Sequence, residues 1–383
     1  MEADHQVAAR ARRLTGEGAG ARRLTQGRLA AGVPAPARLA AEFLAPVRPA
    51  EHDDTMTSTL PRPPYDPEIA AVLAPLGEPT PSLTTETLDE FRASRNDTAD
   101  DLVDAAAAIG AEIVHSAYPI PGYQGAEIEL TVIMRSDHDR ATSAPGFLFL
   151  HGGGMVMANR FSNAVSMLPA MLDHDGVLVT VEYRLAPEHP DPIPVEDCYA
   201  ALVWTADHAA ELGIDPNRII VTGPSAGAGL AAGVALLARD RRGPALLGQL
   251  LVCPMLDDRI DTVSSRQYVG IGIWDRTSNI SGWTALLGDR RGTDEVSIYA
   301  APARATDLSG LPPAFIEVGS AEVFRDEDVA YATRIWADGG VAELHVWPGG
   351  THGFSVLAPE SRIARAAVAT RADWIAALLR RAG

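Results

Sequence analysis

The chain has 383 residues, 46 % of them hydrophobic, and a formal net charge of −18, which fits one large globular domain with an appended segment. The negative charge argues against nucleic acids and anionic membrane surfaces as partners. All 32 basic residues are arginine, so a Ser-Lys catalytic pair and a lysine Schiff base are excluded. Cys198 and Cys253 fit no metal-binding or redox spacing, and no apolar run reaches the roughly 18 residues of a membrane span. We expect a cytoplasmic protein without an integral membrane segment or a metal site.

Residues 1–55 differ from the rest in composition. Residues 1–50 hold eight arginines and four acidic residues, a local charge of 8 − 4 = +4, which leaves −22 for the remainder. The tetrapeptide Arg-Arg-Leu-Thr occurs twice, from Arg12 and from Arg22. We interpret residues 1–55 as a flexible, dispensable extension. An arginine-rich targeting segment, or upstream sequence joined to a natural start at Met56, would fit the same composition.

Two short helical patterns follow, at 67–76 and 83–95, so residues 56–100 are predicted to be a segment of N-terminal helices. Residues 101–383 alternate apolar strands with amphipathic helices, beginning with an antiparallel hairpin of 112–118 and 126–134. Such alternation predicts an α/β fold with a mostly parallel sheet that helices cover on both faces. The later predicted strands are 146–150, 176–183, 218–222, 247–253, 314–318 and 342–347; the predicted helices are 162–173, 195–212, 226–238, 326–338 and 361–381.

The stretch 257–304 interrupts this alternation. It is polar, contains Trp274 and Trp283, and is too long for a simple connection. Open α/β sheets bind ligands at the carboxyl ends of their strands. We therefore expect an insertion over that edge, which together with residues 65–95 forms a helical cap.

The run Gly-Pro-Ser-Ala-Gly at 223–227 fits the G-x-S-x-G pattern between a β-branched strand and a helix of small residues, although glycine and alanine are common enough in this chain for the pattern to arise by chance. Strand and helix nearly touch in this arrangement, so the residues two before and two after the serine must lack bulk. Gly223 and Gly227 meet that need. Ser225 would stand above the sheet at a helix N-terminus, which favours negative charge. Ser225 is the predicted nucleophile.

A serine hydroxyl needs a base within hydrogen-bonding reach, and the base needs an acid to orient it. His352 is the predicted base, because it lies in a glycine-containing loop after the last strand, at the same sheet edge as Ser225. The loop after the preceding strand supplies Glu322 as the predicted acid, with Asp326 as the alternative. The order Ser225, Glu322, His352 is the α/β-hydrolase order.

The run His-Gly-Gly-Gly at 151–154 directly follows a predicted strand. Consecutive glycines let backbone N–H groups approach a substrate closely, so the N–H groups of Gly152, Gly153 and Ala226 are the predicted oxyanion hole. A glycine run can also cradle phosphate, but this one lacks the G-x-x-x-x-G-K-[ST] pattern. Three signals in three loops of one sheet edge thus indicate one site.

With these motifs the sequence resembles the hormone-sensitive-lipase family of α/β-hydrolases, which includes the bacterial family IV carboxylesterases. The resemblance covers residues 65–380. It also rests on Tyr-Arg-Leu-Ala-Pro-Glu-His-Pro at 183–190, Val-Glu-Asp-Cys at 195–198 and His-Gly-Phe at 352–354. It implies oxyanion donors in the glycine run, a cap built from N-terminal helices and an insertion, and hydrolysis of short- to medium-chain esters without a cofactor.

The sequence departs from the family pattern at three positions. Pro224 stands where an aspartate is usual, which removes a carboxylate beside the nucleophile, although its fixed φ suits a strand end. Ala228 replaces the usual third glycine. Glu322 replaces the usual aspartate, and its longer side chain requires a shifted backbone.

These residues predict a serine carboxylesterase: Ser225 forms an acyl-enzyme with His352 as base, and water activated by His352 then releases the acid. The same triad would also suit an amide, lactone or carbamate hydrolase or an acyltransferase. A receptor that binds a ligand on an inactive hydrolase scaffold is an alternative of another class. An exposed edge strand would permit a homodimer. The predicted substrate-pocket residues are Met155, Met157, Trp274, Val323 and Phe354.

Overall fold

The structure is a computed structural model that describes residues 60–382. The predicted extension of residues 1–55 lies outside the described residues. Eight strands form one sheet in the order β1-β2-β4-β3-β5-β6-β7-β8. They are β1 (Ile113–Pro121), β2 (Glu127–Arg135), β3 (Ala144–Phe149), β4 (Val177–Glu182), β5 (Ile214–Pro224), β6 (Gly248–Val252), β7 (Ala314–Gly319) and β8 (Ala342–Trp347).

Strand direction divides the sheet into two parts. The β1–β2 hairpin is antiparallel, as the sequence indicated, and β2 also pairs antiparallel with β4. From β4 onward, the pairs β4–β3, β3–β5, β5–β6, β6–β7 and β7–β8 are all parallel. Parallel strands need crossover connections, and the amphipathic helices between them supply these. The predicted α/β-hydrolase fold is confirmed.

The helices follow the predicted order with local differences. They are α1 (Pro67–Leu73), α2 (Leu88–Ala93), α3 (Ala99–Ala108), α4 (Leu168–Asp173), α5 (Ile193–Asp207), α6 (Ala209–Leu212), α7 (Ala226–Arg241), α8 (Val263–Gln267), α9 (Arg276–Leu287), α10 (Arg325–Ala337), α11 (Phe354–Leu357) and α12 (Arg362–Arg381). The helix predicted over 195–212 is interrupted at His208, whose Nδ1 lies 2.9 Å from the Trp204 carbonyl oxygen. The helix predicted over 162–173 starts as a 3₁₀ turn, and α4 begins next to Pro169 because proline lacks an N–H.

Helix α3 was absent from the sequence prediction. Thr98 and Asp101 cap its start reciprocally, and its Leu102, Ala105 and Ala106 are buried against the sheet. The predicted boundary between residues 100 and 101 falls inside this helix.

Two apolar layers bury the sheet. Alternate residues of β5 face opposite layers: Ile219 and Val221 pack with α5, α7 and α10, whereas Ile220 packs with α3, α4 and α12. Burial on both faces explains why the central strands are almost continuously apolar. Among residues 60–382, no helix combines the length and the apolar composition that crossing a bilayer requires.

The segment before α2 is joined to the insertion between β6 and β7. The Thr80 hydroxyl donates to the Gly272 carbonyl at 2.8 Å, and the Ser82 hydroxyl donates to an Asp275 carboxylate oxygen at 3.0 Å. The Leu83 N–H donates to the Ser278 hydroxyl at 2.9 Å. These hydrogen bonds join two stretches about 190 residues apart in sequence.

Candidate active site

Ser225 occupies a sharp turn between β5, which ends at Pro224, and α7, which begins at Ala226. Its backbone has φ 57° and ψ −122°, a region that non-glycine residues rarely adopt. A Cβ atom at Gly227 would lie 1.9 Å from the Leu150 carbonyl oxygen, and one at Gly223 would lie 2.2 Å from the same atom. Both positions therefore require glycine, for the reason that the motif suggested.

The side chains of Ser225, His352 and Glu322 form a hydrogen-bonded chain. His352 Nε2 lies 3.0 Å from Ser225 Oγ, and His352 Nδ1 lies 2.7 Å from Glu322 Oε2. Glu322 Oε1 accepts the Gly319 N–H at 3.0 Å, which fixes the carboxylate against the end of β7. All three residues are buried, so water competes little for these hydrogen bonds.

Asp326, the alternative acid, lies elsewhere. One carboxylate oxygen accepts the Ser264 N–H at 2.8 Å, and the other accepts from Arg325 Nε at 2.7 Å. The carboxylate thus anchors the insertion to the start of α10. The longer side chain of Glu322 reaches His352 from a position four residues nearer the strand.

Glu322→Gln and Asp326→Asn form a matched pair, because each removes one carboxylate charge. We expect Glu322→Gln to lower kcat by about 10⁴-fold, since an amide facing Nδ1 favours the wrong imidazole tautomer, whereas Asp326→Asn should stay within about 10-fold of the parent. Steady-state kinetics on a soluble ester, with melting curves as a folding control, test this. A larger loss of kcat in Asp326→Asn would contradict the assignment.

Cys253 is a site residue that the sequence analysis missed. It follows β6, lines the cavity beside Ser225, and offers a sulfur within 4.8 Å of ligand atoms of Glu322 and His352. Burial lowers the pKa of His352, but the neighbouring Cys253 and Glu322 raise it, and the net pKa lies well above its usual range. The position of Cys253 at the carboxyl end of a strand beside the serine strand was the available signal.

The glycine run lies against the turn that holds Ser225. A Cβ atom at Gly152 would lie 3.1 Å from the Pro224 carbonyl oxygen, and Gly153 has a φ of 102° with a would-be Cβ 2.3 Å from the Met157 carbonyl oxygen. The N–H groups of Gly152 and Gly153 donate to no other described residue. Ala226 is the first residue of α7, where backbone N–H groups lack intrahelical partners. The structure thus brings the three predicted donors to one place.

His151 supports the glycine run from below. Its ring stacks on Tyr183 with 4.1 Å between centroids, and the Tyr183 hydroxyl donates to the His151 carbonyl oxygen at 2.8 Å. The motif at 183–190 therefore holds the loop in place. Burial lowers the pKa of His151 to about 4, so the ring is neutral near pH 7.

This shift predicts sensitivity to acid. The unfolded chain binds a proton at His151 below pH about 6.5 and the folded chain only below about 4, so the free energy of unfolding falls by about 3 kcal/mol as the pH drops between these values. Urea unfolding at pH 7, 5 and 4 measures this. His151→Asn should flatten the dependence, whereas His115→Asn, at an exposed position, should keep it. Equal slopes in both variants would refute the explanation.

A cavity of about 340 Å³ opens beside Ser225. Met157 and Trp274 lie in its wall, as predicted. Met155 and Val323 do not, because the loops that carry them turn both side chains into the main apolar layer. Phe354 does not either, because it packs against Ile69 and Leu73 of α1. The cavity wall also includes residues that were not predicted to line the pocket: Phe91, Phe149, Met167, Pro224, Leu250 and Arg371.

An eight-stranded sheet of this topology, with a serine held between strand and helix and bonded to a histidine–glutamate pair, is the arrangement of α/β serine hydrolases. A family model described as alpha/beta hydrolase fold matches residues 147–356. The chain belongs to this family, as its resemblance to the hormone-sensitive-lipase group predicted.

Several relatives in sequence and in structure are named esterases. Esterase LipI of Mycobacterium tuberculosis is 34 % identical over 218 residues, and carboxylesterase NlhH of the same organism is 37 % identical over 212 residues. Each match covers 55 % of this chain and 66 % of the relative's length. A solved structure titled Bacterial Heroin Esterase is 37 % identical with a TM-score of 0.74, and the match covers 82 % of this chain and 98 % of that one.

Proposed function

We propose that the protein is a serine carboxylesterase acting on esters with short to medium acyl chains. The observation that carries the proposal is the hydrogen-bonded chain Ser225–His352–Glu322 beside a cavity. Relatives named esterase and carboxylesterase support the same reaction. The cavity volume of about 340 Å³ and its apolar wall favour a limited acyl length.

The reaction runs in two stages. His352 Nε2 removes the proton of Ser225 Oγ as this oxygen attacks the ester carbonyl, and Glu322 stabilises the imidazolium that forms. The N–H groups of Gly152, Gly153 and Ala226 hold the oxyanion. The imidazolium then protonates the leaving alcohol. Water, deprotonated by His352, attacks the acyl-enzyme, and the acid departs as Ser225 regains its proton.

The domain organisation is part of the proposal. A cap that encloses the substrate is formed by residues 60–95 and the insertion at 257–304. The α/β-hydrolase catalytic domain starts at α3. Support comes from the hydrogen bonds that join the two stretches and from the cap residues Thr80 and Trp274 in the cavity wall. The oligomeric state and a location in the cytoplasm stay predictions. For a homodimer, the proposed surface is the edge strand β8, where Val346 is 40 % exposed.

The test is hydrolysis of 4-nitrophenyl esters from acetate to palmitate, with an organophosphonate labelling experiment on the same sample. We expect rates that peak at short to medium chains and a phosphonate adduct on the peptide that contains Ser225. Folded protein with no hydrolysis at any chain length and no adduct would refute the esterase and favour a receptor.

A further inference from the structure

One arm of the cavity extends away from Ser225 on the α12 side of the sheet. Its wall includes Phe149, Met167 and Leu250, which belong to the apolar layer under α3, α4 and α12. The arm also reaches Arg371 of α12. Pro224, the neighbour of Ser225, also lines the cavity, and unlike the usual aspartate it brings no carboxylate there.

Strand register gives the length of the arm. Pro224 of β5 pairs with Val252 of β6, and Val252 pairs with Glu317 of β7, so all three side chains leave the same face of the sheet. Two strand spacings of ~4.8 Å put Glu317 about 10 Å from Pro224. An extended chain of roughly eight atoms spans this distance.

Arg371 closes the far end of the arm. Its Nε lies 3.1 Å from Glu317 Oε1, and its side chain is only 11 % exposed. Neither Nη atom of Arg371 has a hydrogen-bond partner among residues 60–382. Glu317 also accepts from Trp347 Nε1 at 2.9 Å, so the carboxylate is held on its other side. The guanidinium thus has unused donors in a cavity whose wall also contains the apolar side chains of Phe149, Met167 and Leu250.

An arginine whose side chain is only 11 % exposed, with Nη donors that have no partner among residues 60–382, is suited to a carboxylate, which it can bind through two parallel hydrogen bonds. Burial raises the pKa of Glu317, whereas Arg371 and the hydrogen bond from Trp347 lower it. After the first chemical stage the acyl group stays on Ser225 while the alcohol leaves. A closed arm therefore suits the acyl part, and the open side of the cavity suits the leaving group.

We propose that Arg371 selects esters whose acyl chain of roughly eight atoms ends in a carboxylate, that is, monoesters of medium-chain dicarboxylic acids. This inference rests on the proposed esterase function and names its substrate class. Because the chain carries a net charge of −18, its overall field repels such substrates, so a preference for them reports a local contact.

The experiment compares kcat/KM for 4-nitrophenyl monosuberate and 4-nitrophenyl octanoate, which differ mainly by the terminal carboxylate. We expect the ratio of the two values to fall about 10- to 100-fold in Arg371→Met, with octanoate turnover kept. Arg380→Met, an equal charge change at an exposed position of the same helix, should leave the ratio unchanged. If Arg371→Met and Arg380→Met show the same ratio of kcat/KM for monosuberate to octanoate, the proposal is overturned. If no neutral ester is hydrolysed at all, it is the esterase function that is refuted.

A second measurement covers the case in which Arg371→Met leaves Glu317 buried without its partner and fails to fold. The double variant Glu317→Gln/Arg371→Met removes both charges and should show the same loss of preference. Suberic acid should also raise the melting temperature of Ser225→Ala, and this shift should vanish when Arg371→Met is added. A shift that persists without Arg371 would place the carboxylate elsewhere and contradict the proposal.

Discussion

Ser225→Ala is expected to lower kcat for ester hydrolysis by about 10⁶-fold, the loss that removal of such a nucleophile causes in a comparable triad. The substitution deletes only Oγ, which lies 3.0 Å from His352 Nε2, and leaves the remaining groups in place. Substrate binding should survive, so the loss falls on kcat rather than KM. Alanine meets the same backbone strain as serine at φ 57°, so the fold should be kept.

Ser355→Ala is the matched control, because Ser355 also lines the cavity and loses the same atom. Its kcat should stay within about 10-fold of the parent, since this hydroxyl lies outside the catalytic chain. Kinetics, melting curves and phosphonate labelling of both variants complete the test. Residual turnover by Ser225→Ala within a factor of about 100 would mean that another group attacks the ester.

Gly227→Ala carries the second large expected effect, on both stability and activity. The new methyl would meet the Leu150 carbonyl oxygen at 1.9 Å and the His151 carbonyl oxygen at 2.6 Å, and both are backbone atoms that cannot rotate away. The strand–helix turn must open, which we expect to cost about 3 kcal/mol of unfolding free energy. Opening also moves Ser225 from its base, so kcat falls with it.

Gly282→Ala provides the comparison for Gly227→Ala. Gly282 lies inside α9, and a Cβ atom there would come no nearer than 3.2 Å to the Gly154 carbonyl oxygen. The crowding of the new methyl group destabilises the helix, whereas the higher helix propensity of alanine stabilises it. Because the two effects nearly cancel, the change in unfolding free energy should stay below about 1 kcal/mol. Urea unfolding and kcat of both variants measure the difference. Equal stability of the two variants would contradict the close approach described for the turn.

The features that followed from the sequence are those fixed by local geometry and by strand order. The glycines at 223 and 227 indicate that a strand and a helix approach closely. The loops that follow parallel strands lie at one edge of the sheet, whatever their detailed shape. These two rules are enough to predict that Ser225, Glu322 and His352 lie close together, without knowledge of the side-chain packing. The preference for Glu322 over Asp326 came from its place nearest the strand, and the hydrogen bonds agree with that choice.

The side chains that lay beyond prediction are those whose direction depends on tertiary packing. Met155 and Met157 are two residues apart and both belong to the main apolar layer, yet only Met157 also lines the cavity, because the loop after the glycine run has no regular period. The sequence does contain a sign that Arg371 is unusual. It lies on the buried stripe of α12 between Ala367 and Trp374, a position at which arginine is rare unless it has a partner.

The hydrogen bonds from Thr80 and Ser82 to the insertion also have a consequence for folding during synthesis. Residues 80–83 leave the ribosome early, but Gly272, Asp275 and Ser278 follow about 190 residues later, so the first-made segment waits for its partners. Contacts between residues so far apart in sequence carry a large loop-closure cost and tend to form late in folding. The two stretches cannot join before Ser278 has been made, and by then all of β5, Ser225 and α7 has been synthesised.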